Sequence, residues 1–247
     1  MPDDEQRFIS WHSALAGLSE RETAGDDGSS VAPPIAAPFA IDETLNRRLV
    51  LLRHSSPWVL RVDSLVVGNN EAVSCRSGLT GDIFRCGGVP FEREVALLGI
   101  VRTGEARDTA GGGSIAASRV VHAVGPKYKE QYATAAASSL HACYRSALTL
   151  CCEVGHTAAF LPLHDLERKA YPAEEGAHVA LRTVRRFMEQ RPGALNALLL
   201  LAGTDAEFEV YSKVIPLYFP RTAGAHLHVQ PSHPVSSSPL SSTPVIW

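Results

Sequence analysis

The chain has 247 residues and a formal net charge of −3, and 45% of its residues are hydrophobic. This length is sufficient for one domain with a sizeable core plus tails, and the charge excludes the overall basic character of a general nucleic-acid binder. No apolar run reaches membrane-spanning length, and the acidic start lacks the features of a signal peptide. We therefore expect a cytoplasmic or nuclear protein with neither a membrane nor a nucleic acid as partner.

Residues 1–44 mix charges with Gly, Ser and Pro and show no sustained period, so we predict a mostly disordered N-terminal tail. A domain is predicted from residue 45 to residue 221. Residues 222–247 are rich in Ser, Pro and His and are predicted to form a second disordered tail. The five cysteines form no C-x-x-C pair, which favours reduced thiols over a disulfide framework or a zinc site.

Strand and helix signals alternate between the tails. Short apolar runs bounded by polar residues predict buried strands at 49–52, 64–67, 119–124, 157–161 and 197–201. A helix is predicted over 134–153 with Gly155 at its end, and Pro172 opens another. Asp205 is predicted to N-cap a last helix through Tyr211. This alternation predicts an α/β fold with a parallel or mixed sheet covered on both faces.

Two stretches of the predicted helices carry a distinctive pattern. The helix after Pro172 has an apolar stripe at helical spacing, formed by Ala177, Ala180, Leu181, Val184 and Met188. Arg182, Arg185 and Arg186 lie together on that helix. RNA contact and a solvated face are both open for these arginines, and the charge balance of the whole chain favours the solvated face.

Several runs resemble the signatures of macro domains. These runs are 62–70, 102–106 and 121–126. Three others, 125–129, 177–187 and 216–221, resemble the branch of macro domains found in ganglioside-induced differentiation-associated protein 2. The resemblance covers 45–221 and implies a three-layer α/β/α sandwich with a mixed, mostly parallel central sheet. It also implies a cleft for ADP-ribose at the carboxyl ends of the strands, where open α/β sheets generally bind ligands.

The resemblance lets two features of that cleft be compared with this sequence. An acidic residue that receives the adenine amino group in typical members is matched here by His54-Ser55, and the Ser55 hydroxyl accepts a hydrogen bond without the strength of a carboxylate. The Asn-Ala-Ala-Asn turn beside the distal ribose is matched at its last position by Asn70 and at its first by the apolar Val67. Either Asn70 holds a ribose hydroxyl, or Asn69 and Asn70 support the turn through side-chain to backbone bonds.

The two phosphate-binding loops implied by the resemblance depart further. In the first, Gly78 and Gly81 are kept, Thr80 stands where hydrolases carry an acidic residue, and Arg76 either approaches phosphate or is solvated. In the second, Glu167 and Ala170 replace glycines that let backbone amides approach phosphate. Asp165 adds a second carboxylate, while Arg168 and Lys169 either offset that charge or recognise another anion. Tyr171 keeps its family position.

We therefore predict a macro domain with a degenerate ADP-ribose cleft. It would act as a non-catalytic binding module that takes ADP-ribose or another nucleotide weakly, or a protein partner. The alternatives are an ADP-ribosyl-protein hydrolase and a purely structural interaction domain. No catalytic residue, metal or cofactor is expected. The candidate cleft residues are Ser55, Asn69, Asn70, Gly78, Thr80, Gly81, Asp165, Glu167, Arg168, Lys169 and Tyr171.

Overall fold

A computed structural model describes residues 39–164 and 171–221 of the chain. One six-stranded sheet has the order β1-β6-β5-β2-β4-β3. The strands are β1 (Leu49–Arg53), β2 (Ser64–Gly68), β3 (Ala106–Ala110), β4 (Arg119–Ala123), β5 (Thr157–Phe160) and β6 (Ala197–Ala202). The helices are α1 (Glu43–Asn46), α2 (Gly78–Leu97), α3 (Ala133–Val154), α4 (Ala173–Gln190) and α5 (Asp205–Tyr218). Neighbouring strands are parallel except β3, which runs antiparallel to β4 at the sheet edge.

The two faces of the sheet bury different sets of helices. Leu51, Val66 and Phe160 point to one face and pack in a core with α3, α4 and α5. Leu65 and Val67 point to the other face and pack with α2. Successive strand residues alternate between the two faces, and helices pack on each face. The sheet is therefore the middle of three layers. The predicted α/β/α sandwich with a mixed, mostly parallel sheet is therefore confirmed.

All five predicted strands are present, but β3 was not predicted. Its sequence is Ala-Arg-Asp-Thr-Ala, and only its first and fourth residues are buried. An edge strand paired on one side needs neither an apolar run nor strict alternation, so neither signal was available. In the described structure Phe39 is buried, and α1 begins at Glu43, ahead of residue 45. The predicted tails themselves, 1–38 and 222–247, lie outside the described residues.

Two helix ends differ in detail from the prediction. Thr204, not Asp205, N-caps α5, and it forms a capping box with Glu207. The same helix continues to Tyr218 rather than ending at Tyr211. Gly155 does end α3, but its φ of −179° is extended backbone open to any residue. A Cβ on Gly155 would lie 2.4 Å from Cγ of Asp63, so the glycine is required for space.

Candidate functional site

The carboxyl ends of the five parallel strands lie along one edge of the sheet, and the loops after them form the candidate site. The segment 69–77 connects β2 to α2 and lies between β4 and β5 in the strand order. Asn69 continues the β2–β4 ladder, because its N–H donates to the carbonyl of Ala123 at 2.8 Å. We refer to residues 69–77 as the β2–α2 loop.

The two asparagines of the β2–α2 loop have different environments. Asn69 is fully buried, and its Oδ1 accepts hydrogen bonds from the N–H groups of Asn70 and Cys75, each at 3.0 Å. Asn70 is exposed, and its Oδ1 accepts from the N–H of Ser74 at 2.9 Å and from its hydroxyl at 3.2 Å. Both side chains therefore support the turn, while the Nδ2 group of Asn70 takes part in neither of its two bonds.

Arg76 is folded back onto the β2–α2 loop. Its guanidinium lies 3.6 Å from the centroid of the Phe84 ring, within the range of a cation–π contact. Its Nη1 donates to the carbonyls of Cys75 at 3.2 Å and Val73 at 3.5 Å, and its Nε lies 3.7 Å from a carboxylate oxygen of Glu92. Arg76 thus stabilises the loop conformation, a role that neither sequence interpretation included.

Gly78, Thr80 and Gly81 lie in the first turn of α2 rather than in a loop. Gly78 has a φ of +53°, which favours glycine, and a Cβ on Gly81 would lie 2.2 Å from the carbonyl oxygen of Arg76. Thr80 is only 5% exposed, and its hydroxyl donates to the carbonyl of Gly68 at 3.2 Å. The two glycines therefore allow a close approach of loop and helix, and Thr80 ties the helix to the end of β2.

The turn after β1 carries the exposed Ser55. His54 precedes it, donates its N–H to the carbonyl of Ala202 at 3.0 Å, and accepts the N–H of Ser56 on Nδ1 at 3.0 Å. Burial lowers the pKa of His54 from its ordinary value. The ring is therefore neutral near pH 7, and the bond to Nδ1 places its proton on Nε2.

Tyr171 belongs to the core rather than to an open cleft wall. It is buried, with its ring centroid 4.9 Å from that of Tyr128 and 6.1 Å from that of His164. His164 is buried too, and a Cβ on Gly176 would lie 2.4 Å from its ring. Burial raises the pKa of Tyr171 above its ordinary value, so its hydroxyl stays protonated. The other candidates of the second loop, Asp165, Glu167, Arg168 and Lys169, lie outside the described residues.

His122 is a buried polar residue that the sequence interpretation missed. It lies on β4 with its ring 5.9 Å from that of Phe84 and 5.8 Å from that of Phe91, and its Nε2 is 3.2 Å from the hydroxyl of Thr109. Burial lowers the pKa of His122 to about 4, so the ring is neutral at physiological pH. Because His122 stands inside an apolar run, the sequence around it predicts a strand and gives no separate indication of a buried polar residue.

The described residues limit the chemistry further. They contain no group of three or more His, Cys, Asp or Glu side chains arranged to hold a metal ion. Burial raises the pKa of Cys151 to about 12, so this thiol is not an ionised nucleophile. No helix within 39–164 or 171–221 is both long and apolar enough to cross a bilayer.

Comparison with known proteins identifies the family. The family model described as "Macro domain" matches residues 66–180. Ganglioside-induced differentiation-associated protein 2 of Xenopus tropicalis is 38% identical over 186 residues, which are 75% of this chain and 37% of that protein. The chain thus spans well under half the length of this curated relative.

Two solved structures extend the comparison. The crystal structure of the macro domain of ganglioside-induced differentiation-associated protein 2 superposes with a TM-score of 0.71 at 34% identity, covering 77% of this chain and 93% of that one. The Trypanosoma brucei macrodomain in complex with ADP-ribose superposes with a TM-score of 0.61 at 29% identity, covering 68% of this chain and 69% of that one. Since the chain is 34% identical to a macro domain of which it covers 93%, and the macro domain model matches it as well, the chain belongs to the macro domain family.

Proposed function

We propose that this chain is a non-catalytic macro domain, a binding module whose degenerate cleft takes ADP-ribose or another nucleotide weakly. The ligand class follows from the family and from the Trypanosoma brucei macrodomain that is known in complex with ADP-ribose. The observation that carries the non-catalytic part is the environment of Thr80. Its side chain is buried and its hydroxyl donates to a backbone carbonyl of the neighbouring strand.

Hydrolysis needs a group that activates water, and the described site offers none at the family position. A neutral threonine hydroxyl is a poor general base even when it is exposed, and Thr80 is engaged with Gly68. The other matched position, Val67, is buried in the core and carries no polar atom. These two positions together favour binding over turnover.

Two groups remain suited to ligand recognition. The Nδ2 group of Asn70 belongs to an exposed side chain whose oxygen alone is used by Ser74. The start of α2 follows Ser77, which forms no side-chain capping bond with the described residues. The first-turn amides of this helix are thus available to an anion. We therefore propose Asn70 and the start of α2 as the main contacts.

A protein partner is a second candidate, favoured by apolar exposure near the same edge. Leu97 is 86% exposed and Ile100 is 78% exposed. The next residue, Val101, donates its N–H to the carbonyl of Glu71 at 2.9 Å, which places this apolar pair beside the β2–α2 loop. Large exposed apolar side chains beside a binding site are typical of a protein-contact surface.

Calorimetry with ADP-ribose and AMP, together with an assay for ADP-ribose release from a modified protein, tests the proposal. We expect dissociation constants weaker than micromolar and no measurable release, because losing a positioned acid–base group costs about 10²–10⁴-fold in rate. Asn70→Ala should weaken binding further. The control Lys213→Ala, at an exposed position on α5, should not. Robust release abolished by Asn70→Ala would establish a hydrolase. No binding of any nucleotide at millimolar concentration would favour the protein partner or the purely structural role.

A further inference from the structure

The amino edge of the sheet, opposite the candidate site, joins the two ends of the described domain. Arg185 is only 2% exposed, and its guanidinium donates to the carbonyls of Ala40 at 2.9 Å and Tyr218 at 3.2 Å. Asn46 donates from Nδ2 to the carbonyl of Pro220 at 2.7 Å. The segments 40–46 and 218–221 therefore lie at one shared corner.

Basic side chains surround this corner. Arg186 is 55% exposed along its side chain, lies 4.7 Å over the ring of Phe39, and pairs with Glu189 at 3.1 Å. Arg221 donates to the carbonyl of Asn46 at 3.0 Å. Arg47 and Arg48 follow Asn46 directly, and Arg182 lies about one helical turn before Arg186 on α4. We call the set Arg47, Arg48, Arg182, Arg186 and Arg221 the arginine face.

The arginine face has a positive charge balance. Counted over the segments 40–48, 182–189 and 218–221, six arginines including the buried Arg185 stand against the three carboxylates of Asp42, Glu43 and Glu189, for a net charge of +3. Asp42 is engaged in capping α1, where its Oδ1 accepts from the N–H groups of Thr44 and Leu45 at 3.0 Å. The corner is therefore suited to an anionic partner rather than to an apolar one.

The segments that join the domain at this corner differ in charge. Residues 1–38 carry seven acidic residues and two arginines, a net charge of −5. The acidic residues are Asp3, Asp4, Glu5, Glu20, Glu22, Asp26 and Asp27. Residues 222–247 contain no Asp, Glu, Lys or Arg. Only the N-terminal segment is complementary to the arginine face.

The acidic residues of this segment are within reach of the face. Asp27 precedes Phe39 by 12 residues. A chain of that length extends to at most about 40 Å at roughly 3.3 Å per residue, and a flexible one averages about 20 Å. Tethering holds the carboxylates at an effective concentration on the order of millimolar, which makes several weak ion pairs sufficient for partial docking.

We propose that residues 1–38 dock on the arginine face of the same chain. The contact depends on salt, because exposed ion pairs are screened over about 8 Å at physiological ionic strength. The contact lies on the side of the domain opposite the candidate site, and it does not depend on the proposed function.

Limited chymotrypsin digestion of the full chain tests the proposal, with the rate of cleavage after Phe8 and Trp11 as the readout. Proteolysis of a docked segment follows the population of its released form. At low salt we expect cleavage roughly three- to tenfold faster in the variant Arg47→Glu with Arg182→Glu than in the unmodified chain. The rates should converge at about 0.5 M salt, where the Debye length falls to about 4 Å.

Two further variants keep the test specific. Arg93→Glu with Arg107→Glu makes the same charge change at exposed positions on α2 and β3, and its cleavage rate should match that of the unmodified chain. A variant with Asp26→Asn, Asp27→Asn, Glu20→Gln and Glu22→Gln leaves the face intact and should be cleaved as fast as the face variant. Equal rates for the unmodified chain and either docking variant at low salt would overturn the proposal, and so would an equal acceleration in the α2/β3 control.

Discussion

The two edges of the sheet use their polar side chains differently. In the β2–α2 loop at the carboxyl edge the bonds of Asn69 to Cys75 and of Thr80 to Gly68 are local, joining residues six and 12 positions apart. At the amino edge they join remote parts of the chain, such as Arg185 to Ala40, 145 residues apart, and Asp63 to Thr157, 94 residues apart. The carboxyl edge therefore shapes a loop, whereas the amino edge closes the fold.

This difference has consequences for binding and for stability. A loop already held by Asn69, Arg76 and Thr80 loses little conformational entropy when a ligand binds, so the site is preorganised. A hydrogen bond between residues far apart in sequence orders a long stretch of chain, so its loss should lower the stability of the whole domain. Substitutions at the amino edge should mainly change the free energy of unfolding, and those at the carboxyl edge should mainly change the loop and its ligand.

The largest effect is expected for Arg185→Ala. This substitution removes the donors to Ala40 and Tyr218 and leaves the Glu189 carboxylate without its buried partner. Each buried acceptor left without a donor typically costs about 1–3 kcal/mol, and two such carbonyls together with the lost packing of a buried side chain give an expected total of about 3–5 kcal/mol. We expect a loss of that size in the free energy of unfolding, measured by urea denaturation.

Arg186→Ala is the matched control, since Arg186 is the next residue and contacts the same Glu189 while remaining largely exposed. Its cost should be about 0–1 kcal/mol. If the two variants lost the same free energy of unfolding, the distinction between the buried bonds of Arg185 and the surface ion pair of Arg186 would be contradicted. An Arg185→Ala protein as stable as the unmodified chain would show that the corner does not close the fold.

His122 should make the stability of the domain depend on pH. Its pKa is about 4 in the folded chain, against an ordinary value of 6.5. Above pH 6.5 the ring is neutral in both states and its stabilising contribution is complete. As the pH falls from 6.5 to 4 the unfolded chain takes up a proton that the folded chain does not, and the contribution is lost at about 1.4 kcal/mol per pH unit.

The total expected from His122 is about 3 kcal/mol between pH 7 and pH 4. Other groups titrate in this range, so the measurement is the difference between the unmodified chain and His122→Gln across a pH series of urea denaturation curves. The variant should show a flatter pH dependence by about that amount. Parallel profiles for His122→Gln and the unmodified chain would exclude the proposed cause.

Within the β2–α2 loop the two asparagines should differ. Asn69→Ala leaves the partly buried N–H groups of Asn70 and Cys75 without their acceptor, which should cost about 1–3 kcal/mol. Asn70→Ala removes exposed bonds to Ser74 and should cost about 0.5–1 kcal/mol. Hydrogen exchange should show the Cys75 amide losing protection in Asn69→Ala. Unchanged protection of that amide would show that Asn69 does not organise the loop.

How far the sequence predicts this molecule also differs between the two edges. The strands could be predicted because each buried apolar run is a local pattern, and the helix stripe of Ala177 to Met188 is periodic. Arg185 was expected on a solvated face, and its burial depends on Ala40 and Tyr218, which are remote in sequence. Sequence spacing carries no signal for such contacts.

The family resemblance names candidate positions for the site but does not give their local structure. Resemblance put Thr80 and the two glycines in a loop, whereas they begin α2. The stacking of Arg76 on Phe84 joins residues eight positions apart, and it follows a strained turn in which Val73 has a φ of +49°. Backbone strain at a β-branched residue follows from the tertiary structure and has no composition signature.

The smallest expected effect concerns the second loop implied by the family resemblance, where Glu167 and Ala170 replace two glycines. A carboxylate of this loop and a ligand phosphate, each with one unit of negative charge and about 5 Å apart, repel by roughly 3 kcal/mol at an effective dielectric constant near 20. Salt and the adjacent Arg168 and Lys169 reduce that repulsion to about 1–2 kcal/mol, which corresponds to a five- to thirtyfold loss of affinity for a diphosphate. Glu167→Gly with Ala170→Gly should recover part of this loss, because it removes one charge and restores backbone freedom.

Glu167→Gln separates the two contributions, since it removes the charge and keeps a side chain. If charge alone weakens the binding of ADP-ribose, Glu167→Gln should recover as much affinity as the double variant, and its advantage should shrink as salt is raised. If backbone freedom matters as well, the double variant should bind more tightly than Glu167→Gln at every salt concentration. Calorimetry at two ionic strengths distinguishes these outcomes, with urea denaturation to confirm that each variant is folded. Micromolar binding by the unmodified chain, or a folded double variant with no added affinity, would contradict the argument that this loop limits the site.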